Sequence, residues 1–427
     1  MTTRINACVS GKLAVKFLVG ILSLSAPAVV RADVVVDWTV IAGNTAGGVN
    51  GGARNMAVVS LAMFEAVNAI TGDYEPYLGT VSAPDGASPD AAAVAAAYRV
   101  LRTYVTAPAT VAALDAARAA SLAAIPAGQA KDDGIAVGEA AAAAVMTLAA
   151  SDGSSPAAFF EPLPPATGAW QATPSCPVSA ATGLRVGISY QVANMRPLAI
   201  PSPRAFRPEP PPAADSYRYY MAQREVMTVG GVASTERPAD RTDVARFYNG
   251  IGNTFGVRLI APQLALARGD GLAQNARNFA LIAMAVNDAF IASFEAKYHY
   301  GLWRPETAIR AGGDDDNGWT AGDTSFMPLI TTPCFPSYPS NHASGSSASL
   351  EMMRRLYGEA GHDLTLENPA LPGVVLHYGA LHQILADVSD ARVYGGIHFR
   401  FDQDAGERLG REVATFVEKA YLRPVHP

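Results

Sequence analysis

Apolar residues along this chain recur every three to four positions, in runs of helical length, and seldom alternate as they do in strands. "SPDAAAVAAAYRVLRTYV" opens with Ser88 as an N-cap and Pro89 at the first helical position. "ATVAALDAARAASLAAI" and "GIAVGEAAAAAVMTLAAS" follow after short breaks, and their alanines favour helix and permit close packing. Residues 152–215 lose this periodicity, and frequent Pro, Gly and Ser predict a long irregular connection. Helical patterns resume at "SYRYYMAQREVMTVG", "RTDVARFYNGIG" and "LAQNARNFALIAMAVNDAFIASFEAKYHY". The expected fold class is therefore mainly α, with the helices gathered into bundles. One further pattern suggests duplication. "RNMAVVSLAMFEAVNAI", from Arg54, aligns without gaps to "RNFALIAMAVNDAFIAS", from Arg277, and Arg, Asn and four alanines coincide.

Composition narrows the class. Of 427 residues, 49% are hydrophobic and 16% charged, which suits a large core and excludes disorder. The net charge of -6 argues against a nucleic-acid partner, which calls for a basic face. The basic N-terminus, the short apolar run "FLVGILSLSAPAVV" and the cleavage-like Val30-Arg31-Ala32 read as a secretory signal over residues 1–32. Its removal takes away four basic residues and no acid, moving the net charge from -6 to -10. The mature chain is then expected to be secreted or periplasmic, with no stable membrane span. Cys176 and Cys334 remain, and an oxidising compartment would let them pair. The sequence leaves oligomeric state open.

Three polar clusters carry candidate chemistry. In "KYHYGLWRPETAIR", Lys297 and Arg304 are seven residues apart, which predicts one helical face before Pro305 disturbs the helix. "CFPSYPSNHASGSSAS" brings Ser340, Asn341 and His342 to the point where a Pro-rich loop enters a helix, whose first N–H groups are free to bind an anion. In "SDARVYGGIHFRFDQDAG", a helix running from Gly396 would set His398 and Asp402 on one face, with Asp402 fixing the imidazole tautomer. Lys297, Arg304 and Arg392 supply positive charge, Ser340 a hydroxyl, and Asn341 a backbone N–H. His398 is a nucleophile or ligand, and His342 a second imidazole for acid–base work. Such a set suits a multiply charged tetrahedral oxyanion. The acidic "GGDDDNGW" misses the spacing of a calcium loop. His299, His362, His377, His382 and His426 lack metal-ligand spacing.

The three patterns in order, K-x6-R-P, P-S-x-H and A-R-x5-H-x3-D, resemble those of the vanadium-dependent haloperoxidase and type 2 phosphatidic acid phosphatase superfamily. The soluble haloperoxidase branch looks most similar, through "LAMFEAVNAI" and the segment from Ala308 to Ala343. The resemblance implies two stacked helical bundles: an N-terminal one with the irregular connection over residues 33–205, and a catalytic one over residues 206–427. It implies vanadate as cofactor, held by Lys297, Arg304, Ser340, the Asn341 N–H and Arg392. His398 would be the metal ligand, His342 the acid–base group, and Lys297 would polarise the peroxide. Substrates would then be hydrogen peroxide and halide. In the phosphatase alternative, His398 would form a phosphohistidine with a phosphate ester. A non-catalytic oxyanion-binding protein is the third reading. Phe294 and Phe335 correspond to aromatics near the family's halide pocket, or else simply pack in the core. Two positions depart from the usual pattern: Asn341 stands where the family has glycine, and Ala391 where it has serine.

Overall fold

The computed structural model describes residues 33–45, 51–162, 164–252, 254–312 and 317–425. The expected signal at residues 1–32, the acidic residues 313–316 and His426 lie outside these. The first helices are α1 (Val34–Thr45), α2 (Gly52–Thr71), α3 (Pro89–Tyr104), α4 (Pro108–Ala123) and α5 (Gln129–Ala149). The Ser88 hydroxyl caps α3, accepting the Ala91 N–H at 3.2 Å, and Pro89 opens the helix as its sequence predicts. The expected irregular connection follows, with isolated bridges such as Phe160 to Gly187 and a 3-10 turn at Tyr190–Asn194. The chain then forms α6 (Tyr217–Val229), α7 (Ala239–Gly250), a π-helical turn (Gly256–Ile260), α8 (Ala261–Arg268), α9 (Leu272–Tyr300) and α10 (Pro305–Ala311). The last helices are α11 (Asn341–Tyr357), α12 (Leu381–Val393) and α13 (Arg400–Ala420). The fold is mainly α.

Packing centres on two helices. α2 lies against α3 and α5 and also against α9, which in turn packs on α11 and α13. Both are buried on nearly every face, because their small and aliphatic residues run all round the helix. These are the two helices whose sequences align from Arg54 and Arg277. By length and composition α9 passes for a membrane span, yet it is buried within the protein. Its Asp288 carboxylate accepts the backbone N–H groups of Leu198, Ala199 and Ile200, at 2.8, 2.6 and 2.9 Å. One buried acid thus satisfies three backbone donors and ties the irregular connection to the core helix.

One element goes beyond the helical reading. β1 (Ala360–Glu367) and β2 (Val375–Ala380) form an antiparallel hairpin between α11 and α12. Leu364 and Leu366 are buried on its inner face while Asp363 and Glu367 point outward. The alternation is short and lies among helices, where so brief a period-two signal is easily lost.

Candidate active site

Local structure explains how each candidate side chain is presented. Lys297 sits in the last turn of α9, which ends at Gly301 in the left-handed conformation (φ 59°). Arg304 lies beyond that stop, as the residue preceding α10. The two cations are therefore not on one helical face, as their spacing suggested; a glycine terminator separates them and the fold reunites them. The Pro-rich loop before α11 runs between them. Lys297 Nζ donates to the carbonyls of Pro336 and Ser337 at 2.9 and 2.7 Å. Arg304 Nε donates to the Phe335 carbonyl at 2.8 Å. Ser340 then caps α11, its hydroxyl accepting the Ala343 N–H at 3.4 Å. Arg392 lies in the last turn of α12.

His398 is also placed differently from its sequence expectation. The α12–α13 connection turns through Gly396 (φ 79°), where a side chain would strike Pro328, so helix does not begin there. α13 starts at Arg400, leaving His398 in the loop and Asp402 in the first turn. Asp402 Oδ2 reaches back to accept the Phe399 N–H at 3.0 Å, and it lies 2.7 Å from His398 Nδ1. The pairing expected for His398 and Asp402 thus holds through a helix start rather than a helix face. Ser337, which the motifs did not single out, donates its hydroxyl to the same Oδ2 at 2.6 Å. Its loop carries no spacing signal that marks it.

The other ring nitrogen of His398 fixes the tautomer. Arg304 Nη1 lies 3.0 Å from His398 Nε2. Arginine only donates, so Nε2 offers its lone pair and Nδ1 carries the hydrogen toward Asp402. Burial, then the charges of Arg304, Lys297 and Arg392, push the His398 pKa well below its usual value. His342 is lowered likewise, by burial and then Arg392, Lys297 and Arg304. Both rings are neutral at neutral pH.

The cations are only partly compensated. Lys297, Arg304 and Arg392 are buried, and among the described residues Asp402 is the acid that acts on Lys297 and Arg304. Burial, aggravated by Arg304, pulls Lys297 well below its usual pKa, and burial lowers both arginines. Arg304 Nη2, Arg392 Nε and Nη1, and His342 Nε2 are buried with no protein partner. Unpaired buried donors of this kind are costly, and an oxyanion among them would satisfy several at once. Asn341, His342, Arg392 and His398 line a cavity of about 770 Å³.

The remaining candidates separate clearly. Asn341 lines this cavity, with its side-chain oxygen accepting the Ser293 hydroxyl at 2.5 Å. Its side chain is thus anchored from α9, a partner that short-range motifs do not reveal. Phe335 also lines the cavity, and its ring lies 5.3 Å from Lys297 Nζ and 5.0 Å from the Arg304 guanidinium carbon. Phe294 is fully buried, packed on Phe290 and Phe335, which is a core role. His299 lies beside Arg207, His362 beside the Gly358 carbonyl, His377 beside Thr365 and His382 beside Glu359, and none joins the cage. Cys176 and Cys334 form a disulfide with Cα atoms 5.3 Å apart. No group of three or more His, Cys, Asp or Glu able to hold a metal ion occurs among the described residues. The donor set is one for an anion.

Residues 277–427 match the family model for the VCPO second helical-bundle domain. Over that stretch, about a third of the chain, the sequence is similar to the second helical bundle of this family. It is 28% identical over 206 residues to the vanadium chloroperoxidase of Curvularia inaequalis, covering 38% of this chain and 34% of that protein. It thus spans about a third of that relative's length. Two of the solved structures that match show the same fold. A bacterial vanadium-dependent iodoperoxidase superposes with TM-score 0.75 at 23% identity, over 92% of this chain and 97% of its own. An apo-type bacterial vanadium-dependent chloroperoxidase gives 0.68 at 17% identity, over 87% and 92%. The family-model match includes all three motif clusters, since each lies within residues 277–427.

Proposed function

We propose that this chain is a vanadate-dependent haloperoxidase that oxidises halide with hydrogen peroxide. The observation carrying the proposal is a buried cage of three cations around an imidazole that Asp402 fixes with its Nε2 lone pair turned toward Arg304. The orphaned donors of Arg304 and Arg392 fit a tetrahedral oxyanion. Lys297, Arg304, Arg392, the Ser340 hydroxyl and the Asn341 N–H would hold vanadate, with His398 Nε2 as its protein ligand. Bound vanadate supplies Lewis acidity toward peroxide without changing oxidation state. The protein's own residues do the rest. Asp402 and Ser337 hold the His398 ring in its ligating tautomer. His342, neutral and with Nε2 unpartnered, takes a proton from incoming peroxide and later returns it. Lys297, fixed by two carbonyls, directs its charge at the developing negative oxygen. The naming of its relatives as haloperoxidases favours this reading.

A phosphatase reading stands second because His398 Nε2 is equally suited to attack phosphorus, and the same cage stabilises phosphoryl transfer. Export of the mature chain is part of the proposal. It is supported by the signal-like N-terminus and by the Cys176–Cys334 disulfide, a bond favoured in oxidising compartments.

The deciding experiment assays bromide oxidation and phosphate-ester hydrolysis side by side, with protein prepared free of phosphate and supplied with vanadate. Vanadate-dependent bromide oxidation is expected, lost in His398→Ala. His342→Ala should retain vanadate binding but lose roughly a hundredfold or more in rate. Ester hydrolysis without bromide oxidation would give the phosphatase reading instead.

A further inference from the structure

The cavity beside the cage is larger than peroxide, halide and an oxyanion require. About 770 Å³ is the size of a pocket for an organic molecule, and its walls include apolar Ile188, Ile251, Phe290 and Phe335. One more cation lines it: Arg258, carried by the π-helical turn. Such turns are uncommon and often belong to functional sites.

Arg258 has the marks of an anchor rather than a structural tie. Its stem crosses α1 at Gly43, where any side chain would strike its Cγ and Cδ carbons. Its guanidinium is thereby delivered between Asn44 and Ile251, both of which line the cavity. There it makes two long contacts, Nη1 to the Asn44 side-chain oxygen at 3.3 Å and Nη2 to the Ile251 carbonyl at 3.4 Å. No carboxylate among the described residues pairs with it, and burial alone lowers its pKa. Most of its five N–H groups are therefore free to serve a ligand. The neighbouring Gly256 packs on Ser349 of α11, seven residues beyond His342. At 1.5 Å per residue that separates the two levels by about 10 Å along the helix. Arg258 is then a second anion-binding point, apart from the cage, with an apolar wall shared between them.

We infer that Arg258 binds the carboxylate of an organic acid whose apolar body lies in this cavity beside the cage. The inference rests on the proposed function only in making such an acid a candidate acceptor of oxidised halogen; the binding itself needs neither vanadate nor peroxide. A planar guanidinium pairs with a carboxylate through two parallel hydrogen bonds, and neighbouring apolar walls strengthen that pairing.

The test uses the full chain without vanadate, saturated with inorganic phosphate so that the cage is filled. Phenylacetate and its uncharged amide, phenylacetamide, are titrated by calorimetry. Phenylacetate is expected to bind at least tenfold more tightly. Arg258→Gln should abolish that preference while leaving phosphate affinity and the melting temperature in place. Arg258→Lys should restore part of it. Equal affinity for acid and amide overturns the inference, as does a preference that survives Arg258→Gln. Competition between phenylacetate and phosphate also overturns it, because the acid would then be entering the cage. These readouts involve no turnover, so a failure to oxidise bromide would leave them standing.

Discussion

Lys297 brings its charge into a buried site where Asp402 is outnumbered by cations, and its pH response follows from that. In the empty cage, burial and the neighbouring arginines hold its pKa well below the usual lysine value. A bound dianion favours the charged form and raises it again. The group's contribution to binding is therefore complete below the pKa it has without the anion, and is lost as pH rises from there through the raised pKa of the complex. Phosphate affinity should fall by up to about tenfold per unit as pH rises into the alkaline range, where phosphate itself remains a dianion. Lys297→Gln should bind more weakly at pH 8 and show a flatter profile. Calorimetry across this range checks the slope, and a level profile in the unaltered protein would contradict the account. Asn341 illustrates a different residue-scale effect. In place of a glycine the asparagine adds a side chain to the cavity wall, and Ser293 holds it there.

At the scale of elements, the contact between α11 and α13 sets the cage. Gly406 and Gly410 of α13 lie against the first turns of α11, tightly enough that a methyl on Gly406 would approach the Ser340 carbonyl to 2.6 Å. A methyl on Gly410 would meet the Ser344 carbonyl. Ser340 also donates its N–H to the Asp402 carbonyl at 2.9 Å, joining the cap of one helix to the first turn of the other. Gly406→Ala should therefore push apart Ser340 and His398. Overpacking of this kind costs about 1–3 kcal/mol. The expected result is a lower melting temperature together with weaker phosphate binding. Loss of stability with unchanged affinity would show that the cage tolerates the shift.

The whole molecule brings in the irregular connection. It crosses to the catalytic loop through the Cys176–Cys334 disulfide, which spans 158 residues of sequence. Phe335, the next residue, uses its carbonyl to hold Arg304. Cross-links closing long loops contribute about 2–4 kcal/mol. Cys334→Ser should lower stability by about that amount and weaken anion binding through Arg304. Thermal unfolding and phosphate titration, each with and without reductant, provide the check. An unchanged melting temperature after verified reduction would remove the structural role assigned to the bond.

Legibility in the sequence followed the range of the forces involved. Helix class, the Ser88 cap, the helix start after the Pro-rich loop at Ser340 and the irregular connection were readable because periodicity and capping act within a few residues. Residue type also singled out the candidate set: cations, a hydroxyl and two imidazoles are recognisable wherever they fall. Tertiary structure decided how these groups meet. Gly301 and Gly396 end or delay helices, so Lys297 and Arg304, and likewise His398 and Asp402, come together by routes that helical spacing does not describe. Ser337, Ser293 and Arg258 acquire their significance from partners distant in sequence or from a cavity no single segment builds. Above all, the excess of positive charge around Asp402 and the unpartnered donors of Arg304 and Arg392 are properties of packing, since only the folded chain determines which acids come near and which donors are removed from water.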